Sequence, residues 1–207
     1  LAVGVALPSA AGAQAGGAGA GGTPPPRLPD LTGRVARYMA AAPARTLPER
    51  VTLAAKQRIL DTLSAIVSGA RLKPGEVAID YVRTLGGTAE ACVATTGIVT
   101  TAVNAAFANA MFAHADETDD FHPFTKAHPG CAVVPAALAM AERERASGVA
   151  LINAVVLGYD LCCRFLMALG PDSVRANDRS AEGYSSTFGA TAAAAAIAGF
   201  DELRMRY

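Results

Sequence analysis

The residues able to do chemistry in this chain are concentrated in one stretch, residues 114–130, which reads HADETDDFHPFTKAHPG. The stretch contains every histidine of the 207-residue chain, together with four carboxylates and one lysine. Imidazoles titrate near neutral pH, and neighbouring carboxylates raise one another's pKa, so this composition suits proton transfer. The residues are His114, His122, His128, Asp116, Glu117, Asp119, Asp120 and Lys126.

Three interpretations of this cluster are open from the residues alone. The first is acid–base catalysis on a carboxylate-bearing substrate, whose negative charge the imidazoles and Lys126 would hold. The second is a metal site, because His, Asp and Glu are common ligands, although the spacing H-x-D-E-x-D-D-x-H matches neither H-E-x-x-H nor a Glu-x-x-His pair. The third is a solvated polar loop between two helices, without a function.

The cluster lies where one predicted helix ends and another begins. The segment TTAVNAAFANAMFAHA predicts a helix that ends near His114. If this helix continues to residue 118, His114 and Glu117 share one of its faces. Pro123 and Pro129 then force the chain out of the helix, and the loop returns through His128. Such an excursion from a helical bundle suits the mouth of a pocket.

The other segments predict an all-α helical bundle. The abundant alanine favours helices, and in the clearest one we expect one face to carry Leu53, Ile59, Leu60, Leu63, Ile66 and Val67. EACVATTGIV is rich in β-branched residues and predicts an extended segment, and residues 172–184 read as a polar loop. The further predicted helices are DLTGRVARYMAAA, LPERVTLAAKQRILDTLSAIVSGA, PGEVAIDYVRTLGG, GCAVVPAALAMAERER, SGVALINAVVLGYDLCCRFLMALG and SSTFGATAAAAAIAG.

Charge and composition exclude some classes of partner. The formal net charge is zero, and no basic stripe interleaved with aromatic residues occurs, so nucleic acid is not an expected partner. The apolar run at the amino terminus is shorter than the roughly 20 residues that span a bilayer. We therefore predict no membrane span.

The amino-terminal region divides into two segments before the helical domain. Residues 1–15 combine a short apolar run with small-residue cleavage patterns, which predicts part of a secretory signal peptide. Residues 16–29 are rich in Gly and Pro and predict a linker. Residues 30–207 form the predicted helical domain. We expect a periplasmic or secreted protein, or a cytoplasmic one if the first segment is not a signal.

The four cysteines form no C-x-x-C pair, so a cysteine zinc site is not expected. They are Cys92, Cys131, Cys162 and Cys163. An exported protein can form disulfides, but Cys131 and Cys162 lie in apolar helical segments. We interpret these two as free thiols that pack as small hydrophobic side chains.

Several motifs together carry a resemblance to a known family. NAAFANAMFAHADETDDFHPFTKAHPGCAVVPAALAMAE, LINAVVLGYDLCCR and TFGATAAAAAIAGFDE occur in this order. They resemble the H-A-x-D-x-D-D, H-P-G, G-Y-E and T-x-G-x-x-x-A-A-A-A motifs of the MmgE/PrpD family of 2-methylcitrate dehydratase-like enzymes. The resemblance covers about residues 31–207.

The resemblance implies a fold and a chemistry. Its members have a large all-helical domain and a smaller α/β lid domain, and they commonly form homodimers. They remove a proton next to a carboxylate of a small di- or tricarboxylic acid, and dehydration, decarboxylation or epimerisation follows. No cofactor and no metal are implied. The implied protein is thus a lyase or an isomerase.

The resemblance also implies roles for individual residues. Glu117, Asp120 and His128 match active-site positions of the family, and we expect them to be catalytic. Tyr184 stands near the place of a second family histidine, in AEGYSSTFG, and is the expected proton donor there. The expected substrate-binding residues are His114, Asp119, His122, Lys126 and Ser185.

Two features of the family are expected outside this sequence. The α/β lid domain and the active-site lysines would lie beyond residue 207, so we expect the chain to be an N-terminal portion that is inactive alone.

Phe121 stands where members often have Thr or Ser. The alternative to the enzyme is a non-catalytic helical remnant, and a metal-dependent hydrolase or lyase is the third possibility.

Overall fold

The computed structural model describes residues 30–207. The predicted signal segment, residues 1–15, and the linker, residues 16–29, lie outside the described residues. The described part has nine α-helices and one short antiparallel hairpin, which confirms the predicted all-α class. The α-helices are α1 (Leu31–Ala41), α2 (Glu49–Gly69), α3 (Lys73–Leu85), α4 (Ala102–Ala113), α5 (Pro129–Glu144), α6 (Gly148–Leu169), α7 (Pro171–Ala176), α8 (Ala181–Ile197) and α9 (Glu202–Arg206).

Polar residues cap the helix starts and explain where the helices begin. A side-chain oxygen of each capping residue accepts a hydrogen bond from a backbone N–H in the first turn of its helix, a donor that would otherwise lack a partner. The capping residues of α1, α4, α6, α8 and α9 are Asp30, Thr101, Ser147, Ser180 and Asp201. The predicted starts of α1 and α6 are thereby confirmed.

The predicted extended segment forms a small hairpin beside the bundle. Strand β1 (Ala91–Cys92) pairs in antiparallel register with β2 (Val99–Thr100). The side chain of Asn109 on α4 attaches the hairpin to the bundle: its Oδ1 accepts from Ala94 N, and its Nδ2 donates to Cys92 O. This buried amide therefore satisfies backbone groups that the two-residue strands leave without partners.

The apolar core has two main parts, one on each side of α5. The first surrounds Phe112 of α4 and Ile66 of α2, both fully buried. The second joins Val133 and Val134 of α5 to Val155 of α6, with alanines of α8 closing the layer. Helix α5 thus links the two halves of the core, and its first residues follow directly on the polar stretch 114–128.

Helices α6 and α8 approach each other unusually closely at a pair of glycines. A Cβ atom placed on Gly158 would lie 2.9 Å from the carbonyl oxygen of Gly189, and one on Gly189 would lie 2.7 Å from that of Gly158. Real Cβ atoms do not come so close to backbone oxygens, so only glycine at both positions allows this crossing. The small-residue segment of α8 is therefore a packing surface.

One expectation about helices is wrong in part, and another is wrong. On α2, Leu53, Leu60 and Val67 are 57%, 66% and 53% exposed, whereas Ile66 is buried as expected and Ile59 and Leu63 pack against the core. The buried face is turned so that it also includes Ala55, Thr62 and Ala65. Residues 172–184, expected to be a loop, contain α7 and the start of α8. Pro at the first position of α7 and the Ser180 cap of α8 offset their polar composition.

Helix α6 is long and apolar enough to cross a membrane by length and composition alone. The core helix of a globular domain has the same properties. Here α6 packs against α5 and α8, and its residues Val155, Leu157, Cys162 and Leu166 are buried in the bundle. Burial in this core accounts for the apolar residues on the side of α6 that faces α5 and α8.

Candidate active site around residues 114–130

The polar stretch forms an irregular loop between α4 and α5. Helix α4 ends at Ala113, with His114 as its C-cap at φ −105°, and α5 begins at Pro129. The predicted end of this helix near His114 is therefore confirmed. The helix does not continue to residue 118, so His114 and Glu117 do not share a helix face. Glu117 has φ +54° and Lys126 has φ +63°, a left-handed conformation that L-amino acids rarely adopt. These two residues bend the loop near its two ends.

The structure brings two of the three histidines together around one carboxylate. His114 Nδ1 lies 3.0 Å from Asp119 Oδ1, and His128 Nδ1 lies 3.3 Å from Asp119 Oδ2. The two imidazole rings are 5.1 Å apart between centroids, in an edge-to-face arrangement. We call His114, Asp119 and His128 the His–Asp–His cluster. Residues from the start and the end of the loop meet in it.

Burial differs sharply within the His–Asp–His cluster. The Asp119 side chain is fully buried, whereas the side chains of His114 and His128 are 47% and 24% exposed. Asp119 was expected to bind substrate, but its carboxylate lies beneath the two imidazole rings. In this structure a molecule in solvent can therefore contact the two rings but not the carboxylate. With Nδ1 of each ring facing Asp119, Nε2 is the nitrogen left for other partners.

One contact in the cluster is incompletely satisfied. Asp119 Oδ2 and His128 Nδ1 are both buried, and neither forms a hydrogen bond of acceptable geometry among the described residues. Their 3.3 Å separation is within ion-pair distance but the direction is poor. Buried polar atoms nearly always have partners, so this pair requires an explanation.

The neighbouring acid, Asp120, faces a different set of groups. Its Oδ1 accepts a hydrogen bond from Gly130 N at 2.9 Å, and its Oδ2 accepts one from the Tyr159 hydroxyl at 3.0 Å. Arg58 of α2 lies 3.9 Å from Oδ2. Burial raises the pKa of Asp120, and the bonds from Gly130 and Tyr159 oppose that shift. Asp120 was expected to be catalytic. In this structure its carboxylate connects the loop to α2, α5 and α6, and we call these contacts the Asp120 clamp.

Gly130 is the residue that allows this clamp. A Cβ atom at this position would lie 2.6 Å from both Asp120 Oδ1 and Thr62 Oγ1, and 2.9 Å from the Tyr159 hydroxyl. The hydroxyl of Tyr159 stays protonated because burial, and then the charge of Asp120, raise its pKa. Tyr159 is therefore a fixed donor toward Asp120.

The third histidine has a local role in the loop. His122 Nδ1 lies within hydrogen-bond distance of the Thr125 hydroxyl, at 2.9 Å. The backbone N–H groups of His122 and Lys126 donate to Ala127 O and His122 O. Arg175 of α7 donates to Thr125 O and to Glu182 of α8. The loop is thereby tied to α7 and α8, and His122 is not part of the His–Asp–His cluster.

Glu117 and Lys126 are exposed on the solvent side of the loop. Neither side chain forms a hydrogen bond or ion pair within residues 30–207, although the Lys126 ammonium lies 5.3 Å from the centre of the Phe121 ring. The Phe121 ring is also 6.1 Å from that of His128. One free carboxylate and one free ammonium thus stand on the same loop as the two imidazoles.

The two expected residues on α8 lie apart from this loop. Ser185 is fully buried and donates its hydroxyl to Glu182 O, so it has no access to a ligand. The Tyr184 hydroxyl accepts a hydrogen bond from Arg179, and the side chain lines a shallow hollow with Phe188. No residue of the loop lines that hollow. For both residues the expected role at the site is therefore not supported by their positions in this structure.

A larger groove of about 910 Å³ lies on the opposite side of α6, between α1, α8 and α9. Its walls are mostly apolar, and none of residues 114–130 lines it. Asp160 and Arg164 of α6 form an ion pair at 2.6 Å on its rim, and the Tyr38 hydroxyl donates to Asp160. This groove is not the site that the sequence predicted.

All four cysteines are free, and Cys131 borders the His–Asp–His cluster. Its thiol donates to His128 O at 3.2 Å. Burial, and then the charge of Asp119, raise its pKa, so the thiol is protonated. The buried Cys162 and the half-buried Cys131 support the expectation that both pack as small apolar side chains.

Sequence reasoning missed the residues that hold Asp120. Tyr159 and Arg58 come from helices distant in the chain. Of these two, only Tyr159 gave a signal, as part of the Gly-Tyr pair at 158–159 in a family motif. Gly130 gave a second signal, because glycine after Pro at a helix start suggests a close approach of another group.

The family of the chain follows from its sequence as a whole. Residues 33–207 match the MmgE/PrpD N-terminal domain, which is most of the chain and all but the first residues of the described bundle. The chain belongs to the MmgE/PrpD family, as its motifs predicted. No curated protein matches the chain.

Proposed function

We propose that this protein is a lyase or isomerase that removes a proton next to a carboxylate of a small di- or tricarboxylic acid. The observation that supports the proposal is the His–Asp–His cluster, in which two imidazoles share a buried carboxylate beside an exposed acid and lysine. Membership of the MmgE/PrpD family supports the same class of chemistry. Dehydration and epimerisation start with this proton transfer, whereas decarboxylation breaks a C–C bond to release CO₂ and then delivers a proton to the carbanion that remains.

The groups of the loop divide into binding and proton-transfer roles. His114, His122 and Lys126 carry or acquire positive charge and would hold the carboxylates of the substrate. Glu117 is the proposed base, since its carboxylate is exposed and forms no hydrogen bond or ion pair within residues 30–207. His128 is the proposed acid, and Asp119 orients its ring through Nδ1 and stabilises the imidazolium.

Proton exchange in heavy water tests this proposal without knowledge of the final reaction. The full-length natural protein is incubated in D₂O with citrate-like, aconitate-like and aspartate-derived acids, and loss of the C–H signal next to a carboxylate is followed by NMR. We expect enzyme-dependent exchange in one class of acid. If no acid in the panel exchanges while the protein is folded, the non-catalytic alternative is favoured.

We also propose a homodimer. Val103, Phe107 and Met111 of α4 are 78%, 44% and 39% exposed, and Tyr81 of α3 packs edge-to-face on Phe107 with a centroid distance of 5.8 Å. Exposed apolar side chains grouped on neighbouring helices are typical of protein interfaces. Sedimentation velocity tests the dimer.

Export to the periplasm or the medium stays a proposal that rests on residues 1–15 alone. Cell fractionation tests the export.

A further inference from the structure

The incompletely satisfied pair in the His–Asp–His cluster is the starting observation. Asp119 Oδ2 and His128 Nδ1 are buried and lack a hydrogen bond, while Asp119 Oδ1 faces a second imidazole at 3.0 Å. Leaving such groups unsatisfied costs free energy, because they have given up their hydration. A third species between these atoms would satisfy both of them.

The donor atoms have the types and spacing that a zinc ion needs. One ligand atom each from His114, Asp119 and His128 lies within 4.8 Å of the other two. In a tetrahedral site with bonds of about 2.0–2.2 Å, donor atoms lie roughly 3.3–3.5 Å apart. His114 Nδ1 lies 3.0 Å from Asp119 Oδ1 and His128 Nδ1 lies 3.3 Å from Asp119 Oδ2, so each imidazole is near that distance from a different oxygen of the carboxylate.

We propose that His114, Asp119 and His128 bind a divalent transition-metal ion, with Zn²⁺ as the best match. Two imidazoles and one carboxylate favour zinc over magnesium or calcium, which prefer oxygen ligands. Three protein ligands leave the fourth position for water or for a carboxylate of a bound acid. The exposed edges of His114 and His128 give the ion a route from solvent to Asp119.

Binding of the ion would regulate the proposed reaction, and this consequence rests on the proposed function. An imidazole bound to metal through Nδ1 keeps its proton on Nε2 and has no free lone pair. His128 could then neither accept a proton nor become the imidazolium that donates one. Zinc is therefore expected to inhibit proton exchange reversibly, and a chelator is expected to restore it.

Direct binding is measured without substrate. The full-length protein is treated with chelator, dialysed and titrated with ZnCl₂ by calorimetry. We expect one ion per chain, and His114→Ala and Asp119→Asn each to weaken binding by at least the ~10–100-fold that changes in outer-shell partners cause. His122→Gln is the matched control, since it removes an imidazole outside the cluster, and it is expected to retain the wild-type affinity.

The fold of each variant is checked by thermal unfolding. If Asp119→Asn fails to fold, His114→Ala decides the result, because the half-exposed ring contributes little to packing. Absence of stoichiometric binding, wild-type affinity in His114→Ala, or an equal loss of affinity in His122→Gln each overturns the proposal. Any of these results would mean that His114, Asp119 and His128 do not bind one ion together.

The two proposals fail in distinguishable ways. Stoichiometric zinc binding by a protein that exchanges no substrate protons supports the metal site and contradicts the proposed function. Proton exchange by a protein that binds no zinc contradicts the metal site alone. Exchange that continues at saturating zinc overturns the inhibition.

Discussion

Replacing Tyr159 by Phe removes one oxygen atom and tests whether Asp120 is a structural clamp. The Tyr159 hydroxyl donates to Asp120 Oδ2 at 3.0 Å in a buried setting, and its removal leaves this oxygen with only Arg58, at 3.9 Å. Hydrogen bonds to charged groups contribute about 1.5–3 kcal/mol. We expect Tyr159→Phe to lower the free energy of unfolding by this amount, or the melting temperature by roughly 3–12 °C for a domain of this size.

Tyr38→Phe provides a matched control, because the Tyr38 hydroxyl also donates to a carboxylate, that of Asp160, at 2.8 Å. Asp160 is partly exposed and keeps its ion pair with Arg164, so the loss there should stay below about 1 kcal/mol. Chemical denaturation of both variants measures the difference. If Tyr159→Phe costs no more than Tyr38→Phe, the clamp interpretation is refuted.

The effect of Tyr159→Phe should depend on pH with a defined sign. Burial raises the pKa of Asp120 above its value in the unfolded chain, so the contribution of this group to stability is largest at low pH and falls as pH rises through the folded pKa. Removing the Tyr159 donor raises that pKa further. The destabilisation should therefore be full above the raised pKa of Asp120 in the variant and shrink as pH falls from there to the folded pKa of the wild type. A destabilisation that does not shrink as pH falls would contradict a bond from Tyr159 that favours the charged form of Asp120.

Three further predictions concern the site and its packing. Glu117→Gln and His128→Ala in the full-length protein should each abolish proton exchange, measured by NMR, and the exposed Glu117 should change the melting temperature little. Gly130→Ala should destabilise the fold by about 1–3 kcal/mol, because the new methyl group overlaps three side-chain oxygen atoms. Gly158→Ala should cost a similar ~1–3 kcal/mol, since it forces α6 away from α8. Gly148→Ala is the control for both glycines, because nothing lies within 4 Å of its added Cβ.

Each of these predictions has a result that would contradict it. Wild-type exchange rates in both Glu117→Gln and His128→Ala would remove these residues from the mechanism. Melting temperatures of Gly130→Ala and Gly158→Ala equal to that of Gly148→Ala would show that the close approaches relax without cost.

The sequence predicted the helices well wherever local signals mark their ends. Asp30 and Ser147 cap α1 and α6 as expected, and Gly86, in the left-handed region at φ +60°, follows the last residue of α3. These signals are local, because a capping side chain or a glycine acts within a few residues. The buried face of α2 was predicted only in part: Ile66 is buried, but Leu53, Leu60 and Val67 are exposed. Apolar residues surround most of that helix, and only tertiary packing selects the buried side.

The site was predictable in its location but not in its internal contacts. The composition of residues 114–130 showed where the charged groups lie, and the two flanking prolines showed that the chain forms a loop there. Asp119 and Asp120 are adjacent in sequence, yet one faces two imidazoles and the other faces Gly130 and Tyr159. No pattern of spacing separates their roles, because the partners of Asp120 come from other helices.

The backbone at Glu117 and Lys126 has a consequence for the evolution and engineering of this protein. Glycine would adopt their left-handed backbone conformation with less strain. The long polar side chains of Glu117 and Lys126 are therefore present although they make this conformation less favourable. A search for heat-resistant variants would therefore tend to select glycine at both positions. Such variants would tolerate heat better and would have lost the free carboxylate and the free ammonium of the loop.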